Sequence, residues 1–324
     1  MPLRRLAPAL ALLAVLVAPS AARAAAPSAY ATDSGAPGGV SEFDMGPDGF
    51  LAPKGSGPAS AGSSTQDMAI VPGGGFGYAV SGGSIYAFSI GSHGELSSLG
   101  GPVSAGANMV SIAVSPDGHS VYAADKGGNA IYQYDVGAGG GLVAKSPASV
   151  AAGTGPTSVA VSPDGTHVYA VNATSHDISV YAVGTGGGLA AAGAAVPAGT
   201  APNTIVLTPD GHNAYVTDTG AAAVLEYDVA ASGALSAKPS VPSGASPTGI
   251  AASPDGRSVY VANSGDGTVS QYDVGTGGAL GAKAGPAGLV GGATPQRLAV
   301  SPSGTRLYVP DAAAGHNVVY EFAL

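Results

Sequence analysis

Few side chains in this 324-residue chain could do chemistry. It has no cysteine, which removes thiolate nucleophiles, thiolate metal sites, disulfides and a lipidated cysteine together. No G-x-S-x-G elbow and no H-E-x-x-H pair occurs, so a hydrolase built here needs another apparatus. Basic residues number 11 against 20 acidic ones, a net charge of −9. The clustered lysine and arginine of a nucleic-acid or anionic-membrane binder are missing. What remains is a scatter of polar loop residues. As a catalytic set, Arg297 could hold a carboxylate while His176 or His316 moves a proton, since general acid–base work needs a titratable group within hydrogen-bond reach of substrate. As a ligand-binding set, Asn108, Asn203 and Gln296 stand with Asp125, Asp218 and Asp311. Lys126, Gln66 and Asp67 belong to the same loops. The plainer reading of all of them is solvated loop polarity. No metal or cofactor is expected: Gly186-Gly187-Gly188 precedes a strand, so no helix terminus backs an anion there.

These residues are placed by a repeat. The chain aligns on itself with a period of about 46 residues, which calls for a repeat architecture before any other fold. In the clearest unit, Ser158-Val159-Ala160-Val161 alternates as strand a, and Ser162-Pro163-Asp164-Gly165 turns it. Strand b is His167 to Asn172, strand c Ile178 to Val183, and Leu189 leads a small-residue strand d after a glycine-rich turn. Proline pre-sets φ in the a-to-b turn, Asp bonds the local backbone and Gly accepts positive φ. That proline recurs at Pro72, Pro116, Pro163, Pro209, Pro254 and Pro302. A strand-b tyrosine recurs at Tyr30, Tyr78, Tyr122, Tyr169, Tyr215, Tyr260 and Tyr308, and strand c carries an aromatic at Phe43, Phe88, Tyr134, Tyr181, Tyr227, Tyr272 and Phe322. Four short strands per repeat, tight turns and no helical period predict an all-β propeller with one blade per repeat. The 53 glycines and 25 prolines then mark hairpin density rather than disorder.

Two closures are open at this level. The chain enters at strand b and ends within strand c, so a seven-bladed ring lacks one inner and one outer strand. A six-bladed ring could instead borrow the first d strand, about Leu51 to Ala59, for its last blade. Seven copies of both aromatics favour seven. Three residues after each strand-b tyrosine stand Asp33, Ser81, Asp125, Asn172, Asp218, Asn263 and Asp311. Strand b lies one strand spacing, about 4.8 Å, outside the channel strand. These seven therefore read as Asx-type turns closing strand b and not as a cation crown.

The run from Gly155 to Gly165, followed by Val168-Tyr169-Ala170-Val171-Asn172, resembles the Tyr-Val-Thr-Asn repeat of bacterial surface propellers. The start at strand b and the link Tyr134 to Val136 with Leu142, repeated at Tyr272 to Val274 with Leu280, resemble the lactonase family. That resemblance covers residues 28 to 324 and implies seven blades, with 6-phosphogluconolactonases and carboxymuconate cyclases as relatives. Where the phosphogluconolactonases carry Gly-Pro-Arg-His entering strand a, this chain has Ala201-Pro202-Asn203-Thr204. The anion-holding arginine and proton-carrying histidine of that segment are replaced.

Residues 1 to 26 have the order of a secretory signal peptide: Arg4 and Arg5, an apolar run from Leu6 to Val17, Pro19, and the small-residue site Ala22-Arg23-Ala24. Cleavage near residues 24 to 26 is expected, leaving residues 27 to 324 as one exported propeller, a monomer without a membrane span. The first expectation for function is a binding or scaffold module of the envelope or extracellular space, its ligand or envelope partner at the loop face. The alternative is a lactone hydrolase or cyclase.

Overall fold

The computed structural model describes residues 28–33, 38–55, 57–283, 287–289, 293–312 and 319–324. The signal segment and His316 lie outside the described residues.

Seven antiparallel sheets follow one another along the chain. Blade 4 shows the unit: strands Pro156–Val161, His167–Asn172, Asp177–Val183 and Leu189–Ala191 pair in that order, a-b-c-d. A further piece, Val196–Pro197, pairs back onto strand c. Strand d is broken in this way in blades 1, 2, 4, 5 and 6, whereas in blade 3 it runs unbroken over Leu142–Ala151. Among the described residues, blade 1 has strands b, c and d, beginning with Ser28–Asp33, and blade 7 has strands a, b and c, ending with Val319–Ala323.

The repeated turn forms as its residues require. Gly118, Gly165, Gly211, Gly256 and Gly304 have φ between 70° and 73°, a region open to glycine without steric cost. The Asp164 carboxylate accepts from Ser162 Oγ at 2.5 Å and from the Thr166 amide at 3.0 Å.

Blades are tied in both directions by the two aromatic positions. The buried strand-b tyrosines donate their hydroxyls to a glycine carbonyl in the c-to-d turn of the next blade: Tyr78 to Gly140 at 2.8 Å, Tyr169 to Gly233 at 3.1 Å, Tyr215 to Gly278 at 2.7 Å. Strand-c tyrosines reach back to the preceding blade's outer strand: Tyr181 to Ala151 O at 2.7 Å and Tyr227 to Pro197 O at 2.8 Å. Burial pushes the Tyr78 phenol up to about 12. Around these hydroxyls the core is aliphatic and thin, as where Tyr122, Ala124 and Ile131 of blade 3 meet Val159, Val168 and Leu189 of blade 4.

The same contacts decide the closure. Leu51–Pro53 pairs with strand c of its own blade, with Met45 opposite Leu51, so the first d strand is not lent to blade 7. Tyr308 of blade 7 donates to Gly49 O at 2.6 Å, the Leu51 amide donates to Glu321 Oε1 at 3.1 Å, and the Arg306 guanidinium stacks 4.1 Å over Phe50. Ala299, Tyr308 and Val319 share one core cluster with Phe43, Met45 and Leu51. The ring is therefore seven-bladed, and the six-bladed closure is excluded.

Candidate functional site at the channel mouth

The inner strands of blades 2 to 6 each enter the channel through an irregularity. Their register with strand b shifts between Thr65 and Asp67, Met109 and Ser111, Pro156 and Ser158, Pro202 and Ile205, and Pro247 and Gly249. A bulge puts an extra residue into one strand and re-aims its side chain. Here the bulged residues Gln66, Val110, Thr157, Asn203 and Thr248 line a depression of about 290 Å³ at the mouth, together with Thr204, Lys126, Gln296 and Arg297. This is close to the lower end of small-ligand pockets, roughly 300 Å³.

Arg297 dominates the electrostatics. Its Nη1 lies 3.5 Å from Asp67 Oδ2 of blade 2 and its Nη2 is 3.4 Å from Val110 O of blade 3. Lys126 adds a second, exposed cation. The remaining basic residues of the described chain act elsewhere. Lys54, Lys145, Lys238 and Lys283 pair with Asp44, Asp135, Asp228 and Asp273 at the outer strands, a repeated clamp that sequence reading passed over. Arg306 sits at the seam and Arg257 beside a turn on the opposite face.

The threonines point their protons away from the mouth. Thr157 Oγ1 donates to Asn203 O at 2.7 Å, Thr204 Oγ1 to Thr248 O at 2.7 Å and Thr248 Oγ1 to Pro295 O at 3.2 Å, each crossing to the next blade. With the proton committed, each hydroxyl oxygen has only acceptor lone pairs left for a ligand. The mouth thus sets cations on blades 3 and 7 against an arc of acceptors on blades 4 to 6.

The sequence-derived candidates divide accordingly. Arg297, Asn203 and Gln296 line the depression. Asn108 does not. It is exposed, its amide donates to Asp125 Oδ1 at 2.8 Å and its carbonyl accepts from the Lys126 amide at 2.9 Å; the residue of this strand that lines the depression is the bulged Val110. Asp125, Asp218 and Asp311 are buried and hold the loops entering strand a. Asp125 accepts from the Ala107, Asn108 and Gly127 amides, Asp218 from those of Thr200, Ala201 and Gly220, and Asp311 from that of Thr294. Burial would raise the Asp125 and Asp218 carboxyls, but these amide donors together outweigh it and hold both below the ordinary carboxylate value. Asn172 and Asn263 act one step removed, donating to Ser179 Oγ and Ser270 Oγ of strand c at 2.9 Å, and these serines accept the Gly153 and Gly244 amides of the loops entering strand a at 3.2 and 3.3 Å. The polar ring is therefore a set of loop fasteners. His176 sits exposed at a turn tip with φ 58°, its carbonyl accepting the Ala198 amide at 2.9 Å, and is not among the lining residues. Among the described residues, no group of three or more His, Cys, Asp or Glu side chains could hold a metal ion.

A model of the family described as "Lactonase, 7-bladed beta-propeller" matches residues 25–323. No curated protein matches the chain. Among solved structures, a proposed 6-phosphogluconolactonase from Bacteroides uniformis superposes with a TM-score of 0.78 at 20% identity, covering 88% of each chain. The periplasmic gluconolactonase of Pseudomonas aeruginosa gives 0.75 at 20% identity, covering 97% of this chain and 92% of its own. A structure of Kuenenia stuttgartiensis hydrazine synthase gives 0.75 at 18% identity over 98% and 96%. Identities this low establish the fold alone, and one fold hosts many activities.

Proposed function

We propose, from the premise that this chain belongs to the lactonase family of seven-bladed β-propellers, that its channel mouth binds a small hydroxylated lactone and opens the ring. The observation that carries this is the Arg297 guanidinium facing, with Lys126, an arc of hydroxyl acceptors. A lactone carbonyl oxygen against the two cations would place its ring hydroxyls, which are donors, toward Thr157, Thr204 and Thr248. Water adds to the carbonyl carbon and gives up a proton to solvent, the ring C–O bond breaks, the departing alkoxide takes up a proton from solvent, and the carboxylic acid formed ionises with net release of one proton. Arg297 and Lys126 stabilise the negative charge on the carbonyl oxygen in the transition state. Glucono-1,5-lactone is the first substrate to test, by proton release above the uncatalysed rate. Turnover should fall at least tenfold in Arg297→Ala, in line with the loss of one oxyanion donor, about 10²-fold in a fully enclosed site. No turnover on any hydroxylated lactone overturns the reading.

A second reading is favoured by the described lining itself, which contains neither histidine nor carboxylate. It is a binding module for the open hydroxy acid, working through the same cations. Calorimetric binding of gluconate without turnover of its lactone selects it. In either case we propose that the protein acts outside the cytoplasm after loss of its first 24 to 26 residues, and a mature N-terminus beyond residue 27 or at Met1 contradicts that.

A further inference from the structure

We propose that Asp67 is the positioning residue of the mouth, holding Arg297 across the seam between blades 7 and 2. The register makes the two residues equivalent. Asp67 stands opposite Val80, just past its bulge. Arg297 takes the corresponding position on blade 7, two residues before Ala299 opposite Tyr308 as Asp67 is two before Ala69 opposite Tyr78. Blades 3, 4 and 6 carry Ser111, Ser158 and Gly249 there, so the charged pair is confined to the two blades that flank blade 1. Blade 1 is also the blade with no inner strand among the described residues. Where every other neighbouring pair of inner strands meets directly, this pair meets through an ion pair.

Asp67 is built for the task. Its side chain is 9% exposed and that of Arg297 is 22% exposed. Asp67 Oδ1 accepts from the Met68 amide at 3.0 Å, and Oδ2 accepts from Ser111 Oγ at 3.0 Å and from the Ile112 amide at 3.1 Å. The carboxylate is thus fixed to blades 2 and 3 before Arg297 reaches it. Gly249 helps from the other side: a Cβ there would stand 2.6 Å from Gln296 O and 2.7 Å from Arg297 Cα, so its absence lets blade 7's inner strand come close to blade 6. Held at Nη1 by Asp67 and at Nη2 by Val110 O, the guanidinium offers its remaining N–H groups in a fixed direction. Free, it would sample many rotamers above the channel.

The role in catalysis rests on the lactone reading above, and the test separates the two. In protein carrying ¹⁵N-labelled arginine, Arg297 should give resolved, slowly exchanging guanidinium signals that average in Asp67→Asn while the backbone spectrum is kept. On glucono-1,5-lactone, Asp67→Asn should lower kcat roughly tenfold with KM changed less than about threefold, the signature of lost orientation. The exchange variant D67R/R297D should regain the thermal stability lost by either single change, yet not kcat, because the guanidinium then starts from blade 2. If Asp67→Asn does not fold, Asp67→Glu, which moves the carboxylate by one methylene, carries the same readouts. Unchanged Arg297 signals, a kcat that tracks melting temperature across the series, or kcat restored by the exchange overturns the proposal. Wild-type protein without lactone turnover overturns only the preceding reading, and the Arg297 signals then decide the role of Asp67.

Discussion

Glu42 sits in strand c of blade 1, is 6% exposed, and its Oε2 is buried with no hydrogen-bond partner. Burial is the main cause that raises its carboxyl above the ordinary value, with Glu95 and Asp44 adding to it and the Leu96 amide and Lys54 opposing it. A raised folded-state value means that the protonated form suits the fold. Its contribution is fully present below the ordinary carboxylate value and is lost as pH rises through the raised one. Blade 3 shows the neutral solution at the same place: Gln133 accepts the Leu189 amide at 2.8 Å through Oε1 and donates to Pro147 O at 2.8 Å through Nε2. Glu42→Gln should therefore stabilise the protein at neutral pH. A buried unsatisfied acceptor costs about 1–3 kcal/mol, more when charged. Glutamine keeps the acceptor for Leu96 but brings an amide that must find its own partner, so we expect a net gain of about 1 kcal/mol. In a domain of this size that is an increase of about 2 °C in Tm. Calorimetric melts of both proteins at pH 7.5 and pH 4 test it, with the gain present at the first and gone at the second. A gain that does not change with pH, or a variant less stable at pH 7.5, refutes the account.

Three further outcomes follow from the geometry. Tyr308→Phe removes the hydroxyl that reaches Gly49 O across the ring seam and should cost about 1 kcal/mol, read as a lower urea midpoint with an unchanged slope. Asp218→Ala leaves the Thr200, Ala201 and Gly220 amides without their acceptor and should cost about 2–3 kcal/mol. Because the Asp218 carboxyl is held low, its contribution is present above the ordinary carboxylate value and fades as pH falls; a penalty that grows toward acid contradicts this. Gly249→Ala drives a methyl into the backbone of Gln296 and Arg297, so lactone turnover should fall more than stability does, measured as kcat against Tm in one preparation.

Sequence alone determined the architecture. The period, the Ser-Pro-Asp-Gly turn, the seven tyrosines and the ring ending in Asp311 are local patterns, each set by turn chemistry or by strand alternation. The sequence reads that ring as Asx-type turns closing strand b, while the structure shows Asp125 and Asp218 reaching the amides of the loops entering strand a as well as their own turns. Of the sequence candidates for the mouth, Arg297, Asn203 and Gln296 line the depression and Asn108 does not, because the bulged residue of its strand is Val110. A bulge changes side-chain direction without changing residue type, so counting along the strand cannot find it. Only the tertiary structure decided the seven-bladed closure, through Tyr308 and Glu321 meeting Gly49 and Leu51, and the pairing of Asp67 with Arg297. Both contacts join residues far apart in the chain, brought together because the sheets go round a ring. Local sequence specifies each blade, but not which residues meet when the last blade reaches the first.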